Sequence, residues 1–113
     1  MPSINVAGHW RITQDNGFVV DVSMEQNGQA LDAFCTHSNG RVRSTQAIGN
    51  VNGDSMKLTI TWDNGSKGEY TGRLEKGFFT KVNEGILKGR TRDLNHPASS
   101  AGWEVKDRIF LRP

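Results

Sequence analysis

The 113-residue chain has one cysteine, Cys35, and three prolines, and nowhere does it run 18 apolar residues together. A single cysteine excludes an internal disulfide and a cysteine-based zinc site. Without a long apolar run there is no membrane-spanning helix. Residues 1–9 carry neither the basic nor the apolar segment that opens a signal peptide. The chain therefore reads as soluble, either cytoplasmic or secreted with its signal absent from this sequence. No membrane partner is expected.

Charge bias is missing as well. The formal net charge is +2, and Lys, Arg, Asp and Glu are interspersed rather than blocked. Nucleic-acid binders usually show a clustered basic footprint, so no nucleic-acid partner is expected. The nearest approach is Lys88, Arg90 and Arg92, which alternate on one strand face and read as a solvated outer surface. Catalytic signatures are absent too: there is no phosphate loop, nucleophile elbow or paired-carboxylate motif. His9, His37 and His96 lack a short ligand spacing, which leaves no expectation of a metal, and no cofactor is implied. Cys35 and His37 share a strand face, but residues i and i+2 of a strand lie about 6–7 Å apart, too far for a direct hydrogen bond. The chain reads as a non-enzyme. Helical periodicity is the last absence, and 13 glycines penalise helices further.

What is present is a repeated turn. Asn-Gly occurs at 16–17, 27–28, 39–40, 52–53 and 64–65, at steps of 11, 12, 13 and 12 residues. Asn-Gly suits a two-residue type I′ hairpin loop, in which both residues take positive φ. Glu75-Lys76-Gly77 continues the rhythm, and a longer connection follows at residues 94–100. These seven turns predict eight strands, near residues 8–15, 18–26, 29–38, 41–51, 54–63, 66–75, 78–92 and 100–111. Val82-Asn83-Glu84-Gly85 reads as a bulge or an extra turn within the seventh.

Inside the strands apolar and polar residues alternate. Phe18, Val20, Val22 and Met24 share one face, as do Met56, Leu58, Ile60 and Trp62. Trp103, Val105, Asp107, Ile109 and Leu111 form the inward face of the last strand, which leaves Phe110 outward. One dry and one wet face per strand is the pattern of an antiparallel sheet around one core. Closure removes the two exposed edges that a flat meander would leave. The chain thus predicts one all-β domain, residues 1–113, folded as an eight-stranded antiparallel up-and-down barrel. A two-sheet sandwich is the alternative for the same strands. Turns one, three, five and seven fall at one end, which includes the longest loop and is the expected ligand mouth.

Short motifs along the chain resemble the avidin and streptavidin family. They are Gly8-His9-Trp10, the Asn27-Gly28…Leu31 start of strand three, Leu58-Thr59-Ile60-Thr61-Trp62, and Ala101-Gly102-Trp103 through Phe110. The resemblance implies the same barrel and assigns roles by position. Trp62 resembles the tryptophan that walls the family's biotin pocket, and Tyr70 falls at another pocket aromatic. Trp103 resembles the loop tryptophan lent to a neighbouring subunit, and Asp107 the carboxylate that accepts from the ureido ring. Asn16 is the nearest match to the first-loop serine. The departures are Ile12, where the family has an asparagine, and Cys35 and His37, where it has a tyrosine and a serine. No counterpart of the strand-seven tryptophan stands near Leu87-Lys88-Gly89. The candidate ligand set is therefore Trp62, Tyr70, Trp103, Asp107, His37, Cys35 and Asn16, with tight biotin binding not expected.

Each candidate also has a plainer role. Asp107, read as inward, is either a ligand acceptor or a core carboxylate satisfied by His37, Tyr70 or a backbone amide. Cys35 suits a small buried hydrophobe, and Trp10 a packing plug at the closed end. The leading expectation is a binding barrel for a small molecule, with a carbohydrate-binding lectin as the rival. A filled barrel acting as an assembly module is the second rival. Outward Val19, Phe34 and Phe110 predict a homo-oligomer, a dimer or a tetramer.

Overall fold

In a computed structural model, which describes residues 3–37, 40–77 and 80–113, the alternation becomes nine strands and no helix. They are β1 (Gly8–Gln14), β2 (Val19–Asn27), β3 (Ala30–His37), β4 (Ser44–Asn52), β5 (Ser55–Trp62), β6 (Lys67–Glu75), β7 (Glu84–Asp93), β8 (Ser100–Val105) and the short β9 (Phe110–Leu111). Consecutive strands from β1 to β8 pair antiparallel, and β1 pairs with β8 to close an up-and-down barrel. β9 is an addition, paired with Glu84 and Gly85 at the start of β7. The seventh strand begins at Glu84 rather than near residue 78, because the chain turns at Val82-Asn83 first. Phe78 and Phe79, like Ser38 and Asn39 of turn three, lie outside the described residues.

The turns differ from the expected type I′ form: among the described residues only glycines have positive φ. At turn one Gly17 takes the left-handed conformation (φ 89°), and its N–H donates to the Gln14 carbonyl at 3.0 Å. That is a longer loop in which only the glycine is left-handed. At turn two Asn27 still pairs with Ala30, which leaves Gly28-Gln29 as the loop and Gly28 alone at positive φ. Glycine at the first central position fits a II′ turn. The two ends of the barrel are thus built from different turns.

The closed end is sealed by a segment that the repeat pattern does not include. Ile4 and Val6 are fully buried. Gln26 straps them down, donating from Nε2 to the Ile4 carbonyl (2.9 Å) and accepting the Val6 N–H at Oε1 (2.8 Å). Ile4 N–H in turn donates to the Gly53 carbonyl in turn four at 2.8 Å. Trp10 packs beneath, its indole N–H donating to the Val6 carbonyl at 2.8 Å and its ring edge-on to Phe110.

The last strand corrects the expected phase. β8 ends at Val105, and the chain bends through residues 106–109 before re-entering as β9. Non-strand residues break the period of two, so Phe110 is only 1% exposed and points inward, whereas Ile109 is 49% exposed. Phe110 is therefore core, not outer surface. Halfway up the barrel, Trp103 of β8, Gly89 of β7 and Gly72 of β6 lie in register. The Trp103 ring lies over Gly72, where a Cβ would stand 2.7 Å from it, and a Cβ on Gly89 would meet the Thr71 carbonyl at 1.9 Å. The two glycines leave room for the indole and for close strand approach.

Candidate functional site

At the end formed by turns one, three, five and seven the barrel opens into a cup of about 200 Å³. Its walls follow from strand phase. Gln14 continues the inward series Trp10, Ile12, Gln14 of β1; Tyr70 is inward on β6 and Thr91 on β7. Trp62 ends β5, and half-buried Phe18 precedes β2, edge-on to Trp62 at 6.2 Å between ring centroids. Lys67, Arg92 and Asp93 stand at the rim.

The floor is polar and internally matched. The Tyr70 hydroxyl donates to Gln14 Oε1 at 2.7 Å, and Gln14 Nε2 donates to Asn16 Oδ1 at 3.3 Å. Asn16 Oδ1 also accepts the Phe18 N–H at 3.1 Å, which fixes the first loop. Burial, the largest influence, pushes the Tyr70 phenol well above its ordinary range, so at neutral pH it is a protonated donor. At the rim the Asp93 carboxylate accepts the Asn95 and His96 N–H groups at 2.8 and 3.3 Å. The Asn95 bond is the main reason that carboxyl is held below the ordinary range, and together these bonds anchor the 94–99 connection. Arg92 faces Glu69 at 3.3 Å. Charges sit at the rim, while amide, phenol and hydroxyl groups sit below, with aromatic rings around them. Such a cup suits a small ligand whose buried end is neutral and polar.

Of the candidates read from sequence, Trp62, Tyr70 and Asn16 line the cup. His37 lies beside it, its ring 4.1 Å from Phe18. Cys35 is fully buried on β3 below; its backbone N–H donates to Ser44 Oγ (2.9 Å) and burial pushes its thiol up to about 12. Trp103 is no loop residue. It lies inside its own barrel, 4% exposed and edge-on to Tyr70, and its indole N–H finds no acceptor among the described residues. Asp107 is corrected outright: it is exposed, in the bend after β8 toward the closed end, and accepts the Arg11 N–H at 3.2 Å. It faces neither His37 nor Tyr70. Gln14, Thr91 and Phe18 were not among the sequence candidates, although the inward phase of their strands marked all three.

Among the described residues no group of three His, Cys, Asp or Glu side chains could hold a metal ion, and no helix is long and apolar enough to cross a membrane. Compared with models of known protein families the chain matches none, and comparison with curated proteins gives no match either.

Proposed function

We propose that the chain is a non-enzymatic binding protein that takes a small polar ligand in the barrel mouth. The observation that carries this is the cup itself: three aromatic rings around a neutral floor, the Tyr70–Gln14 hydrogen bond, with ionised groups kept to the rim. Below it the interior is filled by Trp103, Ile60, Leu58 and their neighbours, which limits the ligand to the mouth. The resemblance to avidins bears on strand order more than on ligand. Ile12 and Cys35, fully buried, stand where that family supplies polar grips. A urea oxygen facing them would lose donors, each loss costing about 1–3 kcal/mol. Biotin should therefore bind weakly or not at all, and sub-nanomolar binding by calorimetry would contradict this.

The test of the cup is a tryptophan-fluorescence titration with a panel of neutral sugars and small planar amides. At least one should shift the emission of the unmodified protein, and Trp62→Leu, checked for an intact fold by circular dichroism, should abolish that shift. A shift that survives Trp62→Leu would place binding elsewhere.

A second reading concerns assembly. Phe34 and Ile48, 52% and 48% exposed, stand on the outer faces of β3 and β4, a surface suited to a second copy of this chain. Light scattering on the unmodified protein tests it; a monomer at micromolar concentration would overturn it.

A further inference from the structure

We infer that the ligand is the end of an anionic glycan, whose chain leaves the cup over Arg92 and runs down the outer face of β6 and β7. The inference rests on the cup reading above and adds the ligand class.

The cup does not stop at its rim. Thr91, Arg92 and Ser100, which line it, also line an outer groove of about 300 Å³ that continues to Glu69, Thr71 and Arg90. Beyond Arg90 the outward positions of β7 carry Lys88, and β6 presents Arg73. Arg92, Arg90 and Lys88 alternate on one strand face, so successive cations stand about 6.7 Å apart. Strands β5–β7 hold Lys57, Lys67, Arg73, Lys88, Arg90 and Arg92 against Glu69, Glu75, Glu84 and Asp93. The whole chain is only +2, and these three strands account for all of it, so the positive field is centred here.

Within this ribbon the cations are poorly compensated. Glu69 alone serves both Lys57 (3.5 Å) and Arg92 (3.3 Å). Among the described residues Arg90 donates to the neutral Ser100 hydroxyl, at 3.2 Å, and has no ion-pair partner. Arg73 and Lys88 are register partners, directly opposite each other, and neither has an ion-pair partner among the described residues. Like charges directly opposite on a sheet are destabilising. Glu104 faces Lys88 from β8, which leaves Arg73 the less compensated of the two, and an anion resting between them lowers the cost. Glu104, opposite Lys88 on β8, bounds the stripe and keeps the path on β6–β7.

The chemistry distinguishes a glycan from a nucleic acid. Single-stranded nucleic acid is held by stacking successive bases on aromatic rings along the path. Outward positions of β5–β7 carry no aromatic residue; the two rings these strands bear, Trp62 and Tyr70, line the cup. An acidic sugar chain needs only one ring face at its end and cations beyond.

The probe is an oligogalacturonate series, monomer, trimer and hexamer, titrated against the unmodified protein at low and high salt. Its end residue sets its ring and hydroxyls on the neutral floor and its carboxylate at the rim beside Lys67 and Arg92. Affinity should rise from monomer to hexamer, and that gain should vanish at high salt. The double variant Arg73→Gln/Lys88→Gln should keep monomer affinity and lose the length-dependent gain, on the order of fivefold per cation removed. Trp62→Leu should lose the monomer. Equal affinity for monomer and hexamer would overturn the ribbon while leaving the cup standing. Hexamer binding that is lost in the double variant but untouched by Trp62→Leu would overturn the cup reading instead. A single-stranded oligonucleotide that binds more tightly than the hexamer would overturn the choice of glycan.

Discussion

The two ends of this barrel are closed by opposite means. At one end Ile4, Val6, Trp10 and Phe110 fill the opening with apolar side chains, and Gln26 straps the incoming chain across it. At the other end Gln14, Tyr70 and Thr91 turn polar atoms into the opening, and among the described residues only loops border it. Hairpins differ in step: two-residue loops at turns two and four, longer loops with a left-handed final glycine at turns one and five. One end has been spent on stability, and the other keeps a shaped hollow. The difference teaches that the ligand end of a small meander can be recognised by where polar residues break an inward apolar series.

The comparison is broken most severely by Phe110→Ala. The side chain is fully buried against Trp10, and its loss should cost about 3–5 kcal/mol. Chemical denaturation measures it, and a loss under about 1 kcal/mol would mean that β9 does not seal the barrel. Next in size is Gln26→Ala, which removes both strap bonds and should cost about 1–3 kcal/mol while leaving mouth binding intact. Hydrogen exchange at the Val6 amide should accelerate in parallel.

At the mouth, Tyr70→Phe leaves Gln14 Oε1 without its buried donor, a cost of about 1–2 kcal/mol by thermal melt. Ligand affinity should fall with it, whereas Gln26→Ala should spare affinity. The rim responds to acid. Because the folded Asp93 carboxyl is held below its ordinary range, its stabilising contribution is present above that range and lost as pH falls through the folded value. Amides of Asn95 and His96 should shift in that acid window by NMR, and Asp93→Asn should remove the transition. The smallest effect belongs to Phe34→Glu: stability within about 0.5 kcal/mol of the unmodified protein, with any oligomer dissolved.

Much of this architecture was legible because strand phase and turn spacing are local properties. The inward positions of β2 and β5, and the mouth at the end of turn seven, follow from alternation and from counting Asn-Gly pairs. A period of two extended across the bend at 106–109 turns Asp107 inward and Phe110 outward, and nothing in the residues announces that β8 ends at Val105. Ile4 and Val6 lie before the first turn, so the repeat could not recruit them; only the closed end's demand for cover does. Gly72 is informative only once Trp103 lies across it, and Gly89 only once the β6 backbone closes on it, both long-range facts. Gln14 is readable, since it lies within the expected first strand and extends the Trp10–Ile12 series by one step.

Three tryptophans sit at three depths: Trp62 in the cup, Trp103 beneath it and Trp10 at the closed end. Their indole N–H resonances report on those depths separately in one proton–nitrogen correlation spectrum. Titration with oligogalacturonate trimer should move the Trp62 indole most, Trp103 less, and Trp10 not at all. Movement of Trp10 with Trp62 unchanged would contradict a ligand site at the mouth.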